Sequence, residues 1–532
     1  MKIATAGAGE DDNLNGDFDI ADTVTIRGAG AGLTVIDGQQ LDRVFEVIGT
    51  APHSIEAVLQ GVTVRNGNSA GNGGGIRVVD ADMVVRDCAI IGNRAFGRGG
   101  GISANGAADL SLVRTTVARN VARGAGGGLH VEGELTMASG SVRRNTSADF
   151  GGGIFAAEAT LNNSTVVGNV AGGNGGGLYA TNLTLTNSTF SGNRAISNGG
   201  GIDATTATLT GGTVSGNTAG RNGGGLWAAA INLARSTVSG NTAGGSGGGF
   251  YVMTPTLTNC TISGNTAVAG SGGGFYATGT ATLSNCTVDH NTAGLDGGGM
   301  NAAGTAELRT CTVSDNTAAA GSGGGIRAGT TTLVNSTVND NSAALAGGGV
   351  IATTAGLGNC TIAGNTAGTE GGGVNANMAV LLHCTIAENI AHVGGGLYHV
   401  PGATFSVENT IVALNLVDLG GTGPDVAGEF LATARYNLIG DGTGGSGFDD
   451  FSNLVGTAAN PIDPRLGALK NYGGPTQTMA LLAGSPAIDA GNFQATDPVT
   501  GLPLATDQRG FRRKKDGNGD GLAVVDIGAF ER

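Results

Sequence analysis

Lysine is nearly absent from this sequence: Lys2, Lys470, Lys514 and Lys515 are all of it, in a chain whose formal charge is −14. A generic nucleic-acid binder is basic, so that partner class is excluded. Charged residues make up 13% and aromatics 4%, too little for a conventional aromatic-rich core. No run of 18 apolar residues occurs, which excludes a membrane-spanning helix and any expectation of membrane insertion. The opening "MKIATAGAGEDD" lacks an apolar signal core, so either the protein is cytoplasmic or an export segment is missing from this chain. The six histidines form no HxH or HExxH arrangement, which leaves no zinc-protease signature. Hydrophobic residues at 40% nevertheless argue against disorder.

Glycine fills the gap, at 103 of 532 residues, without the three-residue period of collagen. It recurs as "GGG" every 23 to 27 residues from Gly75 to Gly396, most often every 24, with an asparagine five to seven residues earlier. Aligned on that asparagine, three columns appear. Three residues before it stands an apolar residue (Val166, Phe190, Val214, Ile262). Two residues earlier stands a small one (Ser164, Ser188, Cys260, Cys286), with threonine mostly between them. Eight residues before it stands leucine (Leu161, Leu185, Leu209). This alternation is the period of a half-buried strand. Each repeat therefore reads as three short strands: one after the glycines, one through leucine, one through the small–Thr–apolar column. A lone repeat cannot bury its inward row, whereas stacked repeats can. The expected fold is all-β: a right-handed parallel β-helix, pectin-lyase-like, with about 4.8 Å per coil and a small C-terminal domain. Glycine serves turns. Asn169, Asn193, Asn217, Asn241, Asn265, Asn291, Asn316, Asn341 and Asn365 are expected to stack as a structural amide ladder. All six cysteines share one column with Ser, Thr and Gly. Stacked side chains are poorly aimed for a disulfide, so they read as small buried groups.

The pairs "FSGN" (190–193) and "GGGI" (199–202) resemble the FxxN and GGA[ILV] repeats of polymorphic outer-membrane proteins, with Val or Ile usually replacing Phe. The run "GDFDIADTVTIRGAGAGLTVIDGQQLDRVFEV" resembles the opening coils of bacterial right-handed β-helix repeat proteins. The CSLREAI segment that often precedes it there is absent, which implies a truncated start. "NTIVALN", "YNLIG", "NYGGPTQTMALLAGSPAIDAGN", "TDQRGF" and "VDIGAFER" resemble the choice-of-anchor Q domain, with Met479 where the family usually has His. The resemblance implies an extracellular or surface-displayed protein and assigns no reaction. The expected organisation is N-terminal coils 1–66, regular repeats 67–415, irregular last coils 416–455 and the choice-of-anchor Q-like region 456–532.

Chemistry is sought where columns break rank. The outward position two residues after each triplet carries Phe155, Tyr179, Asp203, Trp227, Tyr251 and Tyr276, a row rich in aromatics. Such a stripe would stack on sugar rings, and cross-strand ring packing leaves the same trace. Asp289, His290, Asp296, Asp315 and Asp340 fall near equivalent turns, as an acidic patch or as solvated turn residues. Asp516, Asn518 and Asp520, with Asp526, have the spacing of a loose calcium turn, but Ile527 replaces the final EF-hand acid. Calcium is the one cofactor considered. Nine arginines from Arg77 to Arg144 would hold an anionic glycan or surface polymer, but six acids share their segment, which favours a solvated mixed surface. The expected function is a non-enzymatic, adhesin-like rod that binds glycans or other cell-surface material. The alternatives are a polysaccharide lyase, hydrolase or epimerase of the same fold, and a structural rod that self-associates end to end.

Overall fold

A computed structural model describes residues 16–431, 433–450, 452–495 and 504–532. The first fifteen residues, and with them the expected truncated start, lie outside the described residues. The backbone separates into two compact units, Met1–Gly245 with Gly249–Val252, and Ser246–Gly248 with Met253–Arg532. Each is a β-solenoid of parallel strands, and the described residues contain no helix.

The coil beginning at Leu178 represents the first unit. It runs through Leu178–Thr186, Thr189–Ser191 and Arg194–Ala195. The next coil repeats it in exact register, Leu178 beside Ile202, Thr189 beside Thr213 and Arg194 beside Thr218. Three parallel sheets result: a long-strand sheet, a threonine sheet and a short sheet. Inward lie Leu178, Ala180, Leu183, Leu185, Ser188, Phe190, Asn193 and Ala195, all buried. The three strands per coil are as expected, but their placement differs. The post-glycine and leucine segments form one nine-residue strand in most coils, because Thr181 and Asn182 both face outward and reset the alternation. The third strand is the two-residue segment after the ladder asparagine, too short to show a period.

Three left-handed corners close each coil. In this one they are Asn187 (φ 48°), Gly192 (φ 60°) and Gly199 (φ 62°). Asparagine and glycine tolerate this region best. The other two glycines of the triplet serve contact. A Cβ on Gly200 would lie 2.2 Å from the Gly224 carbonyl oxygen, and one on Gly201 would lie 3.0 Å from Cγ of Asn217.

That asparagine belongs to the ladder. Oδ1 of Asn217 accepts from the backbone N–H of Asn193 at 2.9 Å and from its Nδ2 at 3.0 Å, while Nδ2 of Asn217 donates to the Phe190 carbonyl at 3.0 Å. In the first unit this pattern links Asn93, Asn120, Asn145, Asn169, Asn193, Asn217 and Asn241. In the second it links Asn265, Asn291, Asn316, Asn341, Asn365, Asn389 and Asn415. Asp425 ends it, its Oδ1 accepting twice from Asn415 at 2.9 Å. Burial pushes the Asp425 carboxyl up to about 6. All six cysteines are buried and unbridged, as their shared column implied.

The second unit has the same three sheets, with Met300 beside Ile326, Thr312 beside Thr337 and Thr317 beside Ser342. Coil strands continue to Leu454–Val455. The chain beyond then lies across the outer face of the threonine sheet. Gln508 donates to Thr337 Oγ1 at 2.9 Å and accepts from Thr361 Oγ1 at 2.6 Å; the Ala529 N–H donates to Thr385 Oγ1 at 3.0 Å. Met479 packs on Ala363 and Ala387. These outward positions vary in uncovered coils (Ala118, Arg143, Val167, Ser191, Ser215, Ser239) and are alanine in the coils of Ala363, Ala387 and Ala413.

Candidate functional site

The outward row of the first unit is built by strict register. Phe155 pairs with Tyr179, Tyr179 with Asp203, and Asp203 with Trp227. The row also contains His130, in register with Phe155. Its rings stack face to face: His130 on Phe155 at 4.9 Å and 7°, Phe155 on Tyr179 at 5.3 Å and 8°. Both faces of Phe155 are thus covered by neighbouring rings. Burial holds His130 neutral, its pKa lowered to about 4. Asp203 is 3% exposed, and its Oδ2 has no hydrogen-bond partner. Burial pushes its carboxyl up to about 7. Trp227 and Tyr251 are half-buried.

In the second unit the same outward position opens into a groove. Tyr276, Asn301, Arg327, Ile351 and Asn375 follow one another in register. With Ala303, Gly329, Thr353 and Asn377 they line a cavity of about 400 Å³. Asn301 and Asn375 form its floor, both buried. Arg327 leans toward Asp296, with Nη1 3.5 Å from a carboxylate oxygen. Of the six residues singled out on the stripe, only Tyr276 borders this groove. The others in it were missed because asparagine and arginine at an outward position look like ordinary surface.

The remaining candidates lie elsewhere. Asp516 and Asp520 are exposed and Asp526 is buried. The Asp516 carboxylate accepts from the N–H groups of Gly519, Asp520 and Gly521, Asn518 accepts from the Asp520 N–H, and buried Asp526 accepts from Asp489 and Arg532. These backbone caps hold the loop on which the calcium turn was expected. His290, Asp315 and Asp340 are left-handed corners (φ 56°, 56° and 54°), and Asp289 bonds its neighbour His290 at 2.9 Å. Asp296 is apart from them, beside Arg327.

Carboxylates and histidine do converge in the first unit. His53 Nδ1 lies 2.7 Å from Asp82, with Asp109 alongside. These acids belong to a row of Glu56, Asp82, Asp109, Glu134 and Glu158 on successive long strands. The signal was available: each stands three residues before the leucine column. A second group, Asp17, Asp19 and Glu46, meets two arginines: Arg43 pairs with Asp17 and Glu46, and Arg77 with Glu46.

No helix among the described residues is long and apolar enough to cross a membrane. No curated protein matches the chain. Residues 179–317 match the family model of the right handed beta helix region, which agrees with the stacked coils and supplies their handedness.

Proposed function

We infer that the chain is a non-enzymatic, adhesin-like β-helix, surface-displayed or secreted, that binds glycans on its outward long-strand face. The groove from Tyr276 to Asn375 carries this reading. A saccharide presents hydroxyls that need both donors and acceptors, and each amide of Asn301, Asn375 and Asn377 offers both. The Tyr276 ring suits an apolar sugar face, and Arg327 supplies a directed donor fork. Successive strands about 4.8 Å apart present these groups at a spacing close to that of sugars in an extended chain. The stacked rings at Phe155 and Tyr179 serve the sheet, since their faces are taken. A glycan screen on the intact chain should find a ligand whose affinity falls about tenfold in Tyr276→Ala and in Asn301→Ala. Phe155→Ala should keep it. Undiminished binding in the double variant Tyr276→Ala, Arg327→Ala would sink the assignment.

A second reading has its own observation. The carboxylate row beside His53 places acids on adjacent strands, as general acid–base cleavage of a polysaccharide requires. Product release from acidic polysaccharides, lost in Asp82→Asn and Asp109→Asn, would put this reading first.

A further inference from the structure

The acids and arginines of the early coils separate in space. Arg114 pairs with Asp87 and Arg98 with Glu132, and the row containing Asp82, Asp109 and Glu134 lies on the long-strand sheet. With Arg77 on Glu46, six of the nine remain: Arg86, at the end of a long-sheet strand, and Arg94, Arg119, Arg123, Arg143 and Arg144. None makes an ion pair or a side-chain hydrogen bond among the described residues. Arg94, Arg119, Arg143 and Arg144 stand where the threonine sheet meets the short sheet, on three successive coils, and Arg123 follows the short strand Val121–Ala122. Arg143 ends a threonine-sheet strand, Arg94 begins a short strand, and Arg119 and Arg144 are the corners between them.

Two details mark this cluster. Arg119 and Arg144 occupy left-handed corners at φ 56°, where neighbouring coils have Gly92 (φ 67°), Gly168 (φ 64°) and Gly192 (φ 60°). An arginine there costs backbone strain that glycine avoids, as do His290, Asp315, Asp340, Glu388 and Leu414 at the same corner of later coils. The ring of Phe96 also holds two guanidinium groups in place, Arg123 at 4.4 Å and Arg94 at 4.8 Å from its centre. Arg94 and Arg119 border a hollow of about 280 Å³ floored by Gly67, Gly92 and Asn93.

We propose that this corner is an anion-binding site for a polyanionic glycan. The inference rests on the glycan reading for the nature of the polymer, but uses a different surface. Unpaired guanidinium groups on coils about 4.8 Å apart match charges repeated along an extended chain. The overall charge of −14 repels polyanions elsewhere on the molecule, so binding depends on the patch. Uronate carboxylates and sulfate esters share the required chemistry.

The test compares the intact chain with Arg119→Gly/Arg144→Gly, which removes two charges while installing the residue other coils use. Probes are heparin, polygalacturonate, neutral dextran and duplex DNA. Wild type should bind heparin or polygalacturonate, and which of the two it binds names the anion. The variant should lose about tenfold or more at low salt, its log K against log salt slope should flatten by about one per arginine, and its unfolding midpoint should not fall. Arg327→Ala should leave this binding intact. Equal affinity of variant and wild type, or DNA bound as tightly as the glycan, overturns the proposal. If neutral glycans bind through the Tyr276 groove while no polyanion binds, this inference fails and the glycan reading stands. If a polyanion binds through Arg119 and Arg144 but no ligand needs Tyr276, the reverse holds.

Discussion

Asp203 shows what one residue out of rank does. It is in register between Tyr179 and Trp227, and its buried Oδ2 lacks a partner. Its carboxyl titrates at about 7 rather than 3.8. The folded state therefore holds a proton that the unfolded chain releases near pH 4. That contribution to stability is complete below pH 4 and disappears as pH rises through 7. Asp203→Asn should raise stability at pH 8, by up to about 4 kcal/mol, seen as a higher unfolding midpoint, and change it little at pH 4. A pH series of thermal melts on both proteins measures this; an equal effect at both pH values would contradict it. The outward place of Asp203 was legible in the sequence, since it follows its triplet by two residues. Its burial was not, because the residues beside it, Tyr179 and Trp227, belong to other coils.

At the level of the element, the ladder and the glycine triplet are one device. The Asn217 amide lies against Gly201, where a Cβ would meet it at 3.0 Å, so each column requires the other. Asn217→Ala strips the acceptor from two buried donors of Asn193 and leaves the Phe190 carbonyl without its side-chain donor. It should cost about 3 kcal/mol or more, read as a shift in denaturation midpoint. Thr218→Ala, one residue on and exposed, should stay within about 0.5 kcal/mol. The ladder was readable because a buried amide with the same neighbours must recur at each coil. The short sheet was not, since a two-residue strand such as Arg194–Ala195 has no period and exists only by pairing with the next coil. The corner columns were also hidden: Arg119, Arg144 and Thr310 adopt φ values that local sequence would assign to glycine or asparagine.

At the level of the whole molecule, neither unit relies on a covalent cross-link. Cys88 in the first unit, and Cys260, Cys286, Cys311, Cys360 and Cys384 in the second, are buried thiols; where Cys286 lies over Cys311, a backbone N–H donates to sulfur at 3.4 Å. All six should resist alkylation in the folded protein and react completely in denaturant, with reductant leaving the unfolding midpoint unchanged. Mass spectrometry after labelling counts them, and a thiol pair recovered only after reduction would show a bridge. The sequence by itself determined the coil, because inward small and apolar columns, glycine triplets and asparagines must repeat wherever identical strands stack. Only the tertiary structure decided what lies side by side on the outside. Outward residues are free to vary, so the Tyr276 groove, the arginine corner and the C-terminal chain across the threonine sheet have no repeating trace. Their neighbours are about 24 residues away or, for Gln508 against Thr337, 171, and proximity across such distances is set by stacking.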